Sequence, residues 1–257
     1  MIKIVSGHSN AGGSTVVFNT LVNLFNKNNI PACFYGPYKW KGINCRFETM
    51  SFFKPTKNDI IIYHFLKFKL RVPSKKLILS CHETDLYKVK EVNPGHYDQV
   101  VYVSDYQKTW QGVDGIVIPN PIREFEKKSN DGTKSCAAII GSLDKNKRVH
   151  LSIKKALDDG FKDIRLYGNI TDFQYFKTHI QPYLSDIVTY RGVSDDISKV
   201  YKNVSHVYHS PLKETFNLIK YECSAAGVIY VGNEGNDPKP EIWDNDKIVE
   251  AWRKILC

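Results

Sequence analysis

The sequence predicts an α/β fold made of two Rossmann-like halves, and two observations support this. Short segments of continuous apolar residues alternate with stretches of helical periodicity, a pattern typical of parallel strands that are buried on both faces. The alternation is interrupted once, after residue 122, by a polar and charged segment. The chain has 257 residues, 42% of them hydrophobic, which suffices for two small domains with cores of their own.

The first half, residues 1–122, contains several predicted strands and one clear helix. The helix covers STVVFNTLVNLFNKNN, directly after the first strand. The predicted strands are IKIVSG, PACFYG, NDIIIYHF, KKLILSCH, DQVVYVS and GIVIPN. The segment that follows, REFEKKSNDGTKS at 123–135, has no apolar period, and we interpret it as a linker.

The second half, residues 136–245, repeats this organisation without a fixed period. Its predicted strands are CAAIIGS, DIRLYG, DIVTYRG, SHVYHS and GVIYVGN, with helical stretches between them. Residues 246–257 are predicted as a terminal helix, and its packing against the first domain is left open. Ligands of such sheets bind beyond the carboxyl ends of the strands, so we expect the functional cleft there.

Composition excludes several classes of protein. The sequence contains no apolar run of the about 20 residues that a membrane span requires, and no basic segment followed by an apolar one as in a signal peptide. We therefore expect a cytoplasmic protein, with a peripheral position at the inner membrane face left open. The six cysteines are scattered without a CxxC pair, which argues against a zinc site and a disulfide framework.

The loop after the first predicted strand, SGHSNAGGST, is rich in glycine. Gly7 and Gly12 have the spacing of a P-loop, but Gly13 stands where the phosphate-binding lysine is required. The GxGxxG pattern fails as well, because its second glycine is Ser9. Gly12 and Gly13 therefore either let an anionic ligand approach the helix N-terminus or simply form a tight turn.

Two glutamates, Glu214 and Glu222, follow the predicted strand SHVYHS. Thr215 is the predicted N-cap of a helix that runs to Ala226 and ends at Gly227. Spacing alone leaves two interpretations open. The two carboxylates address different parts of one ligand, whose phosphate meets the N–H groups at the start of the helix. Alternatively, Glu214 only complements the helix dipole and Glu222 is a solvated surface residue.

The stretch KETFNLIKYECSAAGVIYVG resembles the E-x7-E signature of retaining GT-B glycosyltransferases of group 1, a family related to glycogen synthase and bacterial mannosyltransferases. Further segments are similar to that family in the same order: VSDYQKTW, IPNPI, GSLDKNKRVHLSIKKAL, RLYGN and YRGVSDDISKVYKNVSHVYHSP. The resemblance covers most of residues 100–235. It implies the GT-B fold, in which two Rossmann-like domains with parallel sheets face each other across a cleft.

The resemblance also implies roles for individual residues. Glu222 would hold the ribose hydroxyls of a nucleotide-sugar donor, Glu214 would contact the transferred sugar, and Lys147 would neutralise the diphosphate. His82 resembles a histidine that relatives place near the sugar or the acceptor, although a lone histidine is as often a structural hydrogen-bonding residue. The remaining donor-binding candidates are Phe216, Asn217, Leu218, Gly12, Gly13 and Gly168.

The sequence departs from the family pattern at three positions. Ser142 stands where an arginine usually binds the diphosphate. Arg148 stands where glycine is common and is a candidate to replace that arginine in donor binding. Asn217 replaces a glycine and is less suited to a close approach of ligand and backbone.

The implied reaction transfers a hexose or pentose with retained anomeric configuration. The leaving diphosphate helps to deprotonate the acceptor, so the protein supplies positioning and charge stabilisation rather than a nucleophile. We expect a UDP- or GDP-sugar as the donor substrate, with no cofactor and no catalytic metal. DND at 244–246 imitates a DxD metal motif, but its position at a predicted helix start favours capping.

The acceptor is expected to bind the first half, which is basic: residues 1–122 hold 15 Lys and Arg against 8 Asp and Glu. The candidates for contacting it are Trp40, Lys41, Lys67 and Lys69. Aromatic and basic residues in such mixtures suit an anionic membrane surface or a nucleic acid. A solvated face with its aromatic residues turned into the core is the alternative.

Three functions therefore stay open. The first is an enzyme that builds a glycan or glycolipid from a nucleotide sugar. The second is a DNA glycosyltransferase that acts on a hydroxymethylated base, because this short chain, rich in Lys, Asn, Ile and Tyr, resembles compact enzymes of A/T-rich phages. The third is a catalytically silent protein that binds sugar nucleotides, which Ser142 keeps open. The sequence indicates no obligate protein partner.

Overall fold

The computed structural model describes residues 1–64, 72–82, 94–129, 135–233, 241 and 243–257. The chain divides into two compact units. The first unit contains 1–122 and 238–257, and the second contains 123–237. The sequence suggests different boundaries, since it assigns 123–135 to a linker and extends the second domain to residue 245. Each unit is built on one parallel β-sheet.

The first unit has a sheet of seven parallel strands among its described residues, in the order β3-β2-β1-β4-β5-β6-β7. The strands are Ile2–Ser6 (β1), Ala32–Gly36 (β2), Phe47–Thr49 (β3), Ile60–His64 (β4), Lys76–Ser80 (β5), Gln99–Tyr102 (β6) and Ile116–Val117 (β7). Their apolar side chains are almost all buried, as expected for strands covered on both faces. Of these strands, β3 could not be predicted from an apolar pattern, because the strand is short and only half-buried.

Three α-helices belong to the described part of the first unit: Gly13–Lys27 (α1), Asp105–Gln111 (α2) and Asn245–Leu256 (α7). The core of the unit contains Phe18, Leu21 and Phe25 from α1. Ile248, Trp252 and Leu256 of α7 lie in the same core, where the rings of Phe25 and Trp252 meet at 6.0 Å. Helix α7 therefore packs within the first unit, although it follows the second unit in sequence.

The start of α7 follows a local signal in the sequence. Asp244 is the N-cap, and its carboxylate accepts a hydrogen bond from the backbone N–H of Lys247 at 2.7 Å. The structure confirms the prediction that this part of DND caps a helix. By contrast, α2 was not predicted, although Ser104 caps it and Gly112 ends it in the left-handed conformation.

The second unit contains five parallel strands within the part of the chain that the structure describes, in the order β10-β9-β8-β11-β12. They are Ala137–Ile140 (β8), Ile164–Tyr167 (β9), Val188–Tyr190 (β10), His206–His209 (β11) and Ile229–Gly232 (β12). The helices are Val149–Asp158 (α3), Phe173–Tyr175 (α4), Ile197–Lys202 (α5) and Leu218–Ala226 (α6). Helix α4 continues into a π-helical turn, Phe176–Ile180, and a 3₁₀ turn, Gln181–Tyr183.

The segment that precedes β8 takes part in the packing of the second unit. Phe125 packs against one of its apolar clusters, and the N–H of Lys128 donates to the carbonyl of Ala226. Gly227, where α6 ends, has φ 70°, and a Cβ there would lie 2.2 Å from the carbonyl oxygen of Lys128. The predicted C-cap at Gly227 is confirmed, and the close approach of Lys128 adds a second reason for glycine at this position.

Candidate functional site

The candidate site lies at the carboxyl edge of the second sheet. The strand order changes direction between β8 and β11, and the carboxyl ends of such neighbouring strands form the usual ligand-binding crevice of an open parallel sheet. His209 is the last residue of β11, and Gly141 and Ser142 directly follow β8. Lys147 and Glu214 lie on the two loops that leave these strands.

The loop after β11 is fixed to the segment that precedes α3. The side chain of Asn146 donates to the carbonyl of Lys213 at 3.1 Å and accepts from its N–H at 3.2 Å. The N–H of Leu212 donates to the carbonyl of Asn146 at 2.7 Å. These backbone contacts hold the residues immediately before Glu214 in one conformation.

Arg148 strengthens the same connection. Its guanidinium donates to the carbonyls of Ser210 and Pro211, at 2.9 Å each. Its backbone is left-handed, with φ 45°, which costs about 1 kcal/mol for a residue other than glycine. The left-handed backbone explains why glycine suits this position, and two of the guanidinium donors are used within the protein. The role of Arg148 in binding a diphosphate stays a prediction.

The carboxylate of Glu214 forms a cluster with Lys147 and His209. The Lys147 ammonium and the His209 Nε2, the latter at 2.9 Å, both contact the same oxygen, Oε1. Burial acts to raise the pKa of Glu214, but the charge of Lys147 and the hydrogen bonds from His209 and Lys147 outweigh it, so the pKa is lowered to about 2. Glu214 is therefore an ionised, oriented acceptor at neutral pH.

The resemblance aligns Ser142 with an arginine, and a serine supplies no charge at that position. Its hydroxyl donates to Oδ2 of Asp144 at 2.5 Å, and Oδ1 of Asp144 accepts from the N–H of Lys147 at 2.9 Å. Thr171 donates to Oδ2 of Asp144 as well, at 3.2 Å. Ser142 thus helps to shape the loop that carries Lys147.

The helix that carries Glu222 begins later than the sequence suggests. The N-cap is Asn217, whose side chain accepts from the N–H of Lys220 at 3.2 Å, so the prediction of Thr215 as N-cap is wrong. Asn217 is buried, and its amide donates to the hydroxyl of Tyr230 at 2.7 Å. The N–H of Leu218 already donates to the carbonyl of Phe216 at 2.9 Å, which occupies one of the donors predicted to face a phosphate.

Glu222 is buried, with 2% of the residue exposed, so it is not a solvated surface residue. Oε1 accepts from Nε and Nη2 of Arg123, at 2.8 and 2.5 Å, and Oε2 accepts from the hydroxyl of Tyr201 at 3.0 Å. Burial and the neighbouring carboxylate of Glu222 raise the pKa of Tyr201. The carboxylate that the resemblance assigns to a ribose is therefore held by two side chains of the same unit.

Gly168 has a clear structural requirement. Its φ is +147°, and a Cβ built there would lie 1.8 Å from the carbonyl oxygen of Gly141. A side chain at this position would therefore collide with the backbone after β8. The donor-binding role of Gly168 is not tested by this contact.

Carboxyl-end residues of the first sheet form a cluster of their own. His82 is hydrogen-bonded to Ser80 at 3.0 Å through Nε2, and its ring lies 5.3 Å from that of His64. His82 also lines a pocket of the first unit, together with residues that include Phe18, Asn120 and Trp252. The histidine is thus structurally anchored and reaches a pocket, which leaves both interpretations of its role open.

The other first-unit candidates are in distinct settings. Gly12 is the N-cap of α1. Helix α1, all of which is described, has no side-chain hydrogen bond at its N-cap and no acidic residue in its first turn. Trp40 is half-buried and packs against the core, whereas Lys41 is exposed. Lys67 and Lys69 lie outside the described residues.

The described residues lack two features, a membrane-spanning helix and a cluster of metal-binding side chains. No helix among them has the length and apolarity needed to cross a membrane. In the same part of the chain, no three or more His, Cys, Asp or Glu side chains are grouped so that they could hold a metal ion.

Sequence reasoning missed three residues that shape the site. His209 is a polar residue at the carboxyl end of a strand, directly before Ser210. This position is the feature of the sequence that could have identified it as a site residue. Arg123 was assigned to a linker, and its partner Glu222 lies 99 residues further along the chain. Tyr201 lies in the family-like segment YRGVSDDISKVYKNVSHVYHSP, but that resemblance gives it no role beside Glu222.

No family model matches this sequence, and no curated protein is significantly similar to it. Solved structures do match. The Anabaena protein HepE in complex with UDP-glucose has a TM-score of 0.66 at 13% identity, over 99% of this chain and 89% of that chain. WaaG, a glycosyltransferase involved in lipopolysaccharide biosynthesis, has a TM-score of 0.63 at 12% identity, over 100% and 90% of the two chains.

AviGT4, a glycosyltransferase involved in avilamycin A biosynthesis, is similar to the same extent. Its TM-score is 0.64 at 15% identity, over 92% of this chain and 79% of that chain. At these identities the likeness concerns the fold. The two parallel sheets with their helices match the fold of GT-B glycosyltransferases, and the predicted fold class is confirmed.

Proposed function

We propose that this chain is a retaining, metal-independent glycosyltransferase that transfers a hexose or pentose from a UDP- or GDP-sugar to a glycan or glycolipid. The observation that supports it most directly is the cluster of Lys147, Glu214 and His209 at the switch point of the second sheet. A structural neighbour, HepE, binds UDP-glucose in its solved complex. The motif resemblance supports the same donor class.

The residues of the cluster suit the chemistry of sugar transfer. The bond between the anomeric carbon and the diphosphate oxygen breaks, and a bond to the acceptor oxygen forms on the same face. The acceptor proton passes to the departing diphosphate, whose negative charge the Lys147 ammonium stabilises. Glu214 accepts hydrogen bonds from hydroxyls of the transferred sugar and holds it for reaction.

Glu222 binds the ribose in this proposal, and binding of both ribose hydroxyls requires a rearrangement. Arg123 occupies Oε1 twice and Tyr201 occupies Oε2 once. A carboxylate has about four lone-pair sites, so one site remains for a single hydroxyl. Binding both ribose hydroxyls requires Arg123 or Tyr201 to give up one hydrogen bond to the carboxylate.

The acceptor is proposed to bind the first unit because of its basic composition, with Trp40, Lys41, Lys67 and Lys69 as contacts. A membrane-associated glycolipid places the protein at the cytoplasmic face of the membrane. The DNA acceptor remains the alternative. A DNA glycosyltransferase requires duplex affinity that falls steeply as salt rises, which separates the two acceptor classes.

The donor is tested by thermal unfolding with UDP-, GDP-, CMP- and dTDP-sugars, because a ligand that binds only the native state raises the melting temperature. We expect a UDP- or GDP-sugar to do so. Radiolabelled donor is then incubated with glycolipid, oligosaccharide and hydroxymethylated DNA. Labelled product on a glycan or glycolipid supports the proposal, and stabilisation without transfer or hydrolysis indicates a silent binding protein.

Retention and metal independence have separate measurements. The anomeric proton coupling in NMR spectra of the product is expected to match that of the donor. The rate in excess EDTA is expected to equal the rate with Mg²⁺ or Mn²⁺. An inverted product or a loss of activity with EDTA contradicts the corresponding part of the proposal.

A further inference from the structure

His209 has no assigned role in the motifs of this sequence, yet it contacts the carboxylate of Glu214 directly. The residue is 2% exposed, and its Nε2 lies 2.9 Å from Oε1 of Glu214. Lys147 contacts the same oxygen. Two donors on one oxygen fix the carboxylate from one side.

The second oxygen of Glu214 is left for a ligand. Among the described residues, every recorded hydrogen bond and ion pair of this carboxylate goes to Oε1. The side chain is 11% exposed, so part of it faces solvent. Each carboxylate oxygen offers two lone-pair sites, and those of Oε2 are suited to the hydroxyl groups of a sugar.

The position of the imidazole is determined by the sheet. His209 pairs with Gly232 in the parallel register of β11 and β12, and its carbonyl accepts from the N–H of Asn233 at 3.2 Å. The ring lies 6.4 Å from that of Tyr230, which in turn accepts from Asn217. A buried side chain at the end of a central strand has little freedom to reorient.

We propose that His209 is a positioning residue, whose Nε2–H holds Oε1 of Glu214 so that Oε2 is directed at a hydroxyl of the transferred sugar. The inference rests on the proposed function, because it assumes that Glu214 contacts the sugar of the donor. It adds a requirement that the two-glutamate motif does not contain, namely a hydrogen-bond donor at the end of β11. Lys147 remains able to serve the diphosphate, since its ammonium has three donors.

The test uses two substitutions of His209 whose side-chain amides extend to different distances from the backbone. The amide of glutamine extends as far as Nε2 of histidine, whereas that of asparagine extends only as far as Nδ1. We expect His209→Gln to retain kcat within about 3-fold, and His209→Asn to lower kcat by about 10- to 100-fold, the range of a hydrogen bond to a charged group. Binding of UDP and GDP alone is expected to stay unchanged in both variants, because the diphosphate does not contact Glu214 in this proposal.

His206 provides the matched control in the same strand. It is also buried and interacts with Ser205 at 3.0 Å, at the amino end of β11. His206→Asn is expected to lower the melting temperature without changing kcat. Equal losses of kcat in His209→Gln and His209→Asn, or an equal loss in His206→Asn, would overturn the proposal.

A measurement on the unmodified protein covers the case in which His209→Asn does not fold. Long-range ¹H–¹⁵N spectra report which ring nitrogen of each histidine carries a proton, and His209→Gln assigns the signal. A protonated Nε2 supports the proposal, and a bare Nε2 overturns it. If the unmodified protein transfers no sugar from any donor, the proposed function fails. If it transfers sugar but the results for His209 differ from those expected, only the proposed role of His209 fails.

Discussion

Glu214 and Glu222 belong to the same short stretch of sequence, but the protein surrounds their carboxylates differently. Glu214 lies on a loop and contacts Lys147 and His209 through one oxygen. Glu222 lies inside α6, and both of its oxygens accept hydrogen bonds, from Arg123 and Tyr201. The comparison indicates that spacing identifies a pair of carboxylates, whereas the neighbours decide which one is ready for a ligand.

The largest expected effect is a loss of turnover when Lys147, which contacts Glu214, is substituted. Lys147→Met keeps the length of the side chain and removes its charge, so in the proposed mechanism the departing diphosphate loses its main cation. We expect kcat to fall by about 100- to 1,000-fold, as when one transition-state donor is removed. Steady-state kinetics measure this, and Lys145→Met is the control, because Lys145 is exposed and contacts Asp172 only at 3.8 Å. Equal rates in the two variants would remove Lys147 from the mechanism.

The second expected effect is on the pH dependence of the free energy of unfolding. The pKa of Glu214 is lowered to about 2 from an ordinary value of 4.5, so the ionised carboxylate stabilises the folded state above pH 4.5. This contribution, about 3 kcal/mol at most by linkage, is lost as pH falls from 4.5 toward 2.

Urea unfolding between pH 7 and pH 2.5 measures this loss. The free energy of unfolding of the unmodified protein should fall more steeply in that window than that of Glu214→Gln. Glu250→Gln, at an exposed carboxylate of α7, should follow the unmodified protein. Parallel curves for all three proteins would contradict the predicted effect of the cluster.

The third effect tests the Glu222 side. Glu222→Gln leaves the guanidinium of Arg123 without its charged partner, and we expect the free energy of unfolding to fall by about 1.5–3 kcal/mol. A double-mutant cycle with Arg123→Gln should show coupling between the two residues. Glu126→Gln breaks the exposed contact to Lys202 and should cause no resolvable loss. Additive effects of Arg123 and Glu222 would show that their contact contributes little.

The smallest expected effect is a loss of stability on substitution of Asn217, which lies between the two glutamates in the sequence. Asn217→Gly introduces the glycine of the motif that this stretch resembles, but it removes the amide that donates to Tyr230 and the cap of α6. We expect a loss of about 1 kcal/mol in the free energy of unfolding, measured by thermal or urea denaturation. Asn203→Gly, near the end of α5, is a control at an exposed asparagine. A gain in stability for Asn217→Gly would show that the glycine is the better residue there.

The strands, Gly227 and Asp244 could be predicted because their signals are local. Apolar runs, a glycine after a helical pattern and an aspartate before one each specify a nearby backbone conformation. The start of α6 could not be predicted, because the preceding residues are held by Asn146, 67 residues before Lys213. The contacts of Glu222 and Arg123 depend in the same way on segments that only the folded chain brings together.

The placement of α7 has a consequence for the order in which the protein is made. Ile248, Trp252 and Leu256 complete the core around Phe18 and Phe25, but the ribosome adds them after every residue of the second unit. Nascent domains generally fold from the N-terminus onward. Here the first unit finishes its core after the second unit has been synthesised, so the face of α1 that Trp252 covers stays uncovered at least until residue 252 has been added.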